Sequence, residues 1–175
     1  TLPIQQAIDA CSDSGGGVVL VAAGRYETGT IYLKDNVTLH VAEGAALLGS
    51  KDINDYATDT HKNIYAKEAH MDRCLIFARN ARNIAIEGKG AIDGQGQTEN
   101  FPNTNGSHRP MLLRFFECKH LGMRDIHLVN PASWTSAWLY CEDIVVEDVR
   151  IESLVNWNGD GLDFDGCSGV RVRGC

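Results

Sequence analysis

The sequence is short of several things that would place it quickly. No stretch approaches the roughly 18 consecutive apolar residues that a membrane-spanning helix needs, so no membrane partner is expected. Lys and Arg number 16 against 23 Asp and Glu, for a net charge of −7. That balance excludes the broad basic surface nucleic-acid binding requires. The six cysteines include no CxxC pair and no zinc-type spacing with the six histidines, so neither a zinc ribbon nor any metal site is expected. Between Val18 and Cys175 no run keeps helical periodicity for three turns, which excludes ankyrin, tetratricopeptide and armadillo arrays. The leucine-rich-repeat signature is missing too. There are only four prolines but 18 glycines, which points to many tight turns.

What the sequence does have is a repeat. Phe115, Cys118, Leu121, Met123, Asp125, Ile126, Leu128 and Trp134 recur as Trp138, Cys141, Ile144, Val146, Asp148, Val149, Ile151 and Trp157, each 23 residues on. The next turn continues with Phe164, Cys167, Val170, Val172 and Cys175, but at a step of 26. The three extra residues fall between Trp157 and Phe164, in the segment Asn158-Gly159-Asp160-Gly161-Leu162-Asp163. A regular repeat is a scaffold, and an insertion into one turn of it is a place to hang chemistry.

Earlier segments belong to the same repeat with longer excursions. Leu75 to Ala78 and Asn83 to Ile86 align with Leu112 to Phe115 and His120 to Met123 at an offset of 37, and Asn36 to Leu39 align with Asn83 to Ile86 at 47. The added length lies in residues 49–73 and 95–109, polar segments that read as loops. Within the runs Val18–Val21, Thr30–Leu33, Val37–Val41, Leu75–Ala78, Ile84–Ile86 and Met111–Phe115 the apolar spacing is two.

Coils of about 23 residues with two or three short strands each, and ladders of like side chains, fit an all-β, right-handed parallel β-helix. One domain is expected over residues 1–175, with a capping helix over 1–14 and coils over 18–175. Pro3 suits a first helical turn, Ile4, Ala7, Ile8 and Cys11 share one face, and Gly15-Gly16-Gly17 ends the helix. Such a helix would cover the open edge of the first coil. Cys118, Cys141 and Cys167 hold one repeat position, which favours a ladder of buried thiols over disulfides.

The same stacking makes Phe115, Trp138 and Phe164 a core ladder and Trp134 with Trp157 an aromatic pair at the coil corner. Asn-Gly and Asp-Gly are strong turn signals, so residues 158–163 read on pattern alone as a turn carrying carboxylates. His108 and Arg109 close the long polar loop, a place where a ligand could be met.

Several motifs resemble one family. They are Ile4 to Cys11, Gly15 to Val19, Gly24 to Lys34, Asn36 to Leu39, Leu47 to Ser50, Gly88 to Gly96, Arg109-Pro110, Trp134-Thr135, Tyr140-Cys141 and Asn158 to Asp163. Together they are similar to the pectin-degrading β-helix enzymes of glycoside hydrolase family 28, the polygalacturonases and their relatives. The last motif corresponds to that family's Asn-Thr-Asp, with Gly159 in place of Thr. Ala137-Trp138 stands where many members carry His-Pro.

The resemblance implies inverting hydrolysis of galacturonosyl linkages, without a cofactor, on a pectic polysaccharide. Two carboxyl groups about 6.5–9.5 Å apart are needed for that chemistry. By resemblance Asp160 stands on the water-activating side. Asn158, Asp163, Arg109 and His108 are candidates for catalytic support or substrate contact. The family's Asp-Asp, Gly-His-Gly and Arg-Ile-Lys motifs follow later, so the 175 residues are expected to be an N-terminal portion, inactive alone and a monomer when complete. Secretion or a periplasmic location is implied in the same way. Two other classes share the scaffold: a β-helix lyase, which would hold Ca²⁺ on Asp160, Asp163 and Asp165, and a non-catalytic glycan-binding or adhesion module.

Overall fold

A computed structural model describes residues 1–60, 72–104 and 107–175. Among these residues one α-helix, α1 (Leu2–Asp13), precedes sixteen strands that wind through three faces in fixed rotation, with a single 3-10 turn at Ile53–Asp55. The first face holds β1 (Gly17–Val21), β4 (Val37–Val41), β7 (Arg82–Glu87), β10 (Lys119–Arg124), β13 (Glu142–Glu147) and β16 (Ser168–Arg173). The second holds β2 (Gly24–Thr28), β5 (Ala45–Gly49), β8 (Ala91–Asp93), β11 (His127–Val129) and β14 (Arg150–Glu152). The third holds β3 (Ile31–Tyr32), β6 (Cys74–Arg79), β9 (Met111–Phe116), β12 (Ser136–Leu139) and β15 (Leu162–Asp165). Every pairing is parallel, and the result is a right-handed parallel β-helix.

The register reproduces the sequence repeat. Leu121 pairs with Ile144, and Met123 with Val146, at 23 residues. Ile144 pairs with Val170 at 26. The offsets of 37 and 47 also hold, in Ile76 with Leu113 and Thr38 with Ala85. The second face was less visible, because β2, β5 and β8 interrupt their apolar residues with Arg, Tyr or Asp and with glycines.

Inward side chains stack into ladders. Phe115 lies 4.4 Å from Trp138, and Trp138 lies 5.6 Å from Phe164, centroid to centroid. Cys118 and Cys141 are buried and Cys167 half-buried in the neighbouring column, and all six cysteines are free thiols. The turns from the third face to the first start in the left-handed region at Asn80, Glu117, Tyr140 and Gly166. Gly166 closes that column because a Cβ there would meet the Tyr140 ring at 2.4 Å.

The helix closes the first coil as expected, but more narrowly: Ile8 is fully buried, Ile4 and Cys11 pack partly on the core, and Ala7 is exposed. Gln5 substitutes for a missing strand. Its amide nitrogen donates to Tyr32 O at 3.0 Å, and its oxygen accepts from Tyr32 N at 2.8 Å. The edge of β3 thereby finds both of its hydrogen-bond partners in one side chain. No helix among the described residues is long and apolar enough to cross a membrane.

Candidate active site

Among the described residues, long connections leave the scaffold at one corner, between the second face and the third. The segments that join those faces include residues 50–73, 94–110, 130–135 and 153–161, whereas the other two corners use turns of two to four residues. The last loop carries the candidate carboxylate. It begins after β14, whose register with β11 is 23, and ends at β15, whose register with β12 is 26, so the irregular step is absorbed within 153–161.

Backbone contacts fix that loop from below. Thr135 N donates to Asp160 O at 2.7 Å, and Ser136 Oγ donates to Gly161 O at 2.9 Å. Asn158 sits at φ 65°, a left-handed conformation that Asn tolerates better than most residues. Gly159 is forced for another reason: a Cβ there would lie 2.1 Å from Ser153 O. With the main chain held, the Asp160 side chain faces solvent.

Asp163 lies in β15 between Leu162 and Phe164, both packed on the core, so strand alternation turns it outward. Its register partner is Ala137, above Arg114 in the same column. Ala137 offers only a methyl group, and Asp163 Oδ2 is buried without a hydrogen-bond partner among the described residues. Burial, and next the charge of Asp160, push the Asp163 carboxyl up to about 6. Asp165 is half-buried in the same strand. Among the described residues no group of three or more His, Cys, Asp or Glu could hold a metal ion, so Asp160, Asp163 and Asp165 do not form one.

The other candidates divide. Arg109 is 1% exposed. Its Nη1 donates to Ala132 O at 2.9 Å and Trp157 O at 2.6 Å, and its guanidinium lies 5.7 Å from the Trp157 ring. Nη2 has no partner among the described residues, and burial lowers the pKa of the group. His108 points elsewhere, with Nδ1 2.8 Å from Asp72 Oδ1. It lines an open cleft of about 560 Å³ with Lys51, Asn100 and Phe101, which no residue of 153–163 borders.

The expected pairing of Trp134 on Trp157 gives way to separate roles. Trp134 packs on Cys74, Phe77, Met111 and Ala137, while Trp157 is carried outward by the loop and is 63% exposed over Arg109. The extra residues shift the register at this point, which moves Trp157 off the column that Trp134 begins. Asn156 was not anticipated. Its Nδ2 donates to Gly96 O at 2.8 Å and Phe101 O at 2.9 Å, and nothing in the sequence distinguishes it from other loop asparagines.

A model of glycosyl hydrolases family 28 matches residues 18–175. The chain belongs to glycosyl hydrolase family 28. Among curated relatives it is 36% identical to a polygalacturonase of Ralstonia solanacearum, over 98% of this chain and 32% of that protein. It is 26% identical to an exo-poly-alpha-D-galacturonosidase of Dickeya chrysanthemi, over 98% and 36%. The chain therefore spans about a third of the length of these two relatives. Its fold matches the family 28 exopolygalacturonase of Yersinia enterocolitica with a TM-score of 0.76 at 24% identity, covering 94% of this chain and 37% of that one.

Proposed function

We propose that the chain is part of a pectin-degrading glycoside hydrolase in which Asp160 activates the attacking water. The observation that carries this reading is the Asp160–Asp163 arrangement. One carboxylate is exposed on a loop whose main chain is pinned to the coil below, and beside it stands a second whose affinity for protons is raised to about pH 6. A general base for hydrolysis of a glycosidic bond is a carboxylate that water can reach and that its surroundings hold in place.

In this reading Asp160 draws a proton from water as the water attacks the anomeric carbon. Asp163 orients Asp160 and does not touch sugar. The acid that protonates the leaving oxygen stands on a following coil, and positions stacked one and two coils above Asp160 lie about 5 and 10 Å away. An inverting pair, which needs about 6.5–9.5 Å to hold the water, falls between those two spacings. Asn158 shapes the turn. The substrate is a galacturonan, the enzyme is a monomer, and it works outside the cytoplasm. With only 16 Lys and Arg in 175 residues, cations that pair with uronate carboxylates come mainly from the neighbouring coils.

The test is Asp160→Asn in the full-length protein, assayed on polygalacturonate. The wild type should release reducing ends without ultraviolet-absorbing unsaturated products, and the variant should lose roughly 10²–10⁴ of that rate, the range for a general base. Unsaturated ends would identify a lyase instead. Tight glycan binding with no turnover would identify a binding module.

A further inference from the structure

Arg109 is an unusual strut. It is nine-tenths buried and more, carries a positive charge, and has no acidic partner among the described residues. Burying an unpaired charge is costly, so a side chain used only to fasten loops would be better replaced by an apolar one. What Arg109 does reach is three successive corner loops. It springs from 94–110, donates to Ala132 in 130–135, and donates to Trp157 in 153–161.

Asn156 ties two of these loops, 94–110 and 153–161, a second time. Its Nδ2 holds Gly96 O and Phe101 O, while its Oδ1 accepts from Trp157 N at 2.7 Å. Trp157 is thus gripped at its nitrogen by Asn156, at its oxygen by Arg109, and on its ring by the guanidinium. Asp160 follows three residues later, through Asn158 at positive φ and Gly159 wedged on Ser153.

We propose that Arg109 is a positioning residue for the Asp160 carboxylate, acting through Trp157 and, with Asn156, making three corner loops one rigid unit. This rests on the reading that Asp160 is the water-activating group. The fork of the guanidinium is well shaped for such a clamp, since one Nη1 reaches two carbonyls on different coils. A lysine ammonium on a flexible stem does this with less geometric control. Displacement of a catalytic group by about 1 Å costs up to about 10²-fold in rate. The loss should appear in turnover, because substrate contacts elsewhere on the surface are untouched.

The experiment compares wild type with Arg109→Met, Arg109→Lys and Asn156→Ala in the full-length protein, reading amide hydrogen exchange over 153–161 together with kcat and KM. Arg109→Met should speed exchange in that loop about tenfold or more and lower kcat about 10- to 100-fold at little-changed KM. Arg109→Lys should recover part of both. Should Arg109→Met fail to fold, Asn156→Ala tests the same clamp, with a smaller shift of the same sign. Unchanged exchange in 153–161, or faster exchange with wild-type kcat, would overturn the proposal. Were the wild type to show no hydrolysis, the reading of Asp160 would fall, while faster exchange in the variants would still establish the clamp.

Discussion

Asp163 and Ala137 are register partners on β15 and β12, so a half-buried carboxyl group faces a methyl group. The affinity of Asp163 for protons follows from that relationship: burial penalises its charge, Asp160 adds a like charge nearby, and its Oδ2 finds no hydrogen-bond partner among the described residues.

A dependence of stability on pH is expected. The folded pKa is about 6 against 3.8 for the free side chain. Between those values the native state keeps a proton that the unfolded chain releases, so this group's contribution falls as pH rises from about 4 to 6. Such a shift represents roughly 3 kcal/mol at full burial, and solvent screening of a half-buried group leaves about 1 kcal/mol. Asp163→Asn should therefore be more stable than wild type by about that amount at pH 7, with the advantage vanishing towards pH 4. Urea titrations at both values would check it, and parallel pH profiles for the two proteins would refute the assignment.

Asp160 is the second cause of the Asp163 shift, after burial. Asp160→Asn should bring the Asp163 carboxyl down from about 6 while leaving it above its ordinary range. Carboxyl carbon chemical shifts followed through a pH titration measure this directly. A pKa unmoved by Asp160→Asn would show that the two carboxylates do not sense each other.

By resemblance Gly159 stands where the family motif carries threonine, and the local geometry leaves no room for a threonine side chain. Ser153 O lies only 2.1 Å from where a Cβ would stand. Gly159→Thr should cost about 1–3 kcal/mol of stability by overpacking and displace Asp160. Thermal unfolding of the variant checks this, and a melting temperature equal to wild type would mean that the loop adapts freely.

The aromatic ladder supports the strand that holds Asp163. Trp138 is 1% exposed between Phe115 and Phe164, and its Nε1 donates to Ser136 Oγ at 2.9 Å. Trp138→Ala should cost about 3–5 kcal/mol, and Trp138→Phe much less. Chemical denaturation of the three proteins would rank them. A small loss for the alanine variant would mean that the ladder collapses to fill its own cavity.

Much of the scaffold was legible because a β-helix writes its register into the sequence. The match of Leu121 to Ile144 and then Val170 could be counted residue by residue, and so could the change of step from 23 to 26. The second face was harder, since strands such as Arg150–Glu152 are too short and too polar to show a period. Asp160 was visible as a carboxylate at a break in the repeat. Burial is what the sequence conceals: Arg109 reads as a loop cation and is in fact enclosed, while Trp157 reads as a corner residue and is exposed. Both outcomes depend on contacts between loops distant in sequence, which a repeat of 23 does not encode. The clamp by Asn156 is hidden for the same reason.

The confinement of long loops to one corner has an evolutionary consequence. The two short-turn corners, with their left-handed residues and close-packed glycines, vary only between two and four residues from coil to coil. At the third corner, lengthening a loop leaves every strand partner in place, and each doubling of its length adds only about 0.6 kcal/mol of closure entropy. New specificities can thus be tried along one ridge of the molecule by insertion and deletion, coil by coil, while the rest of the solenoid is inherited unchanged.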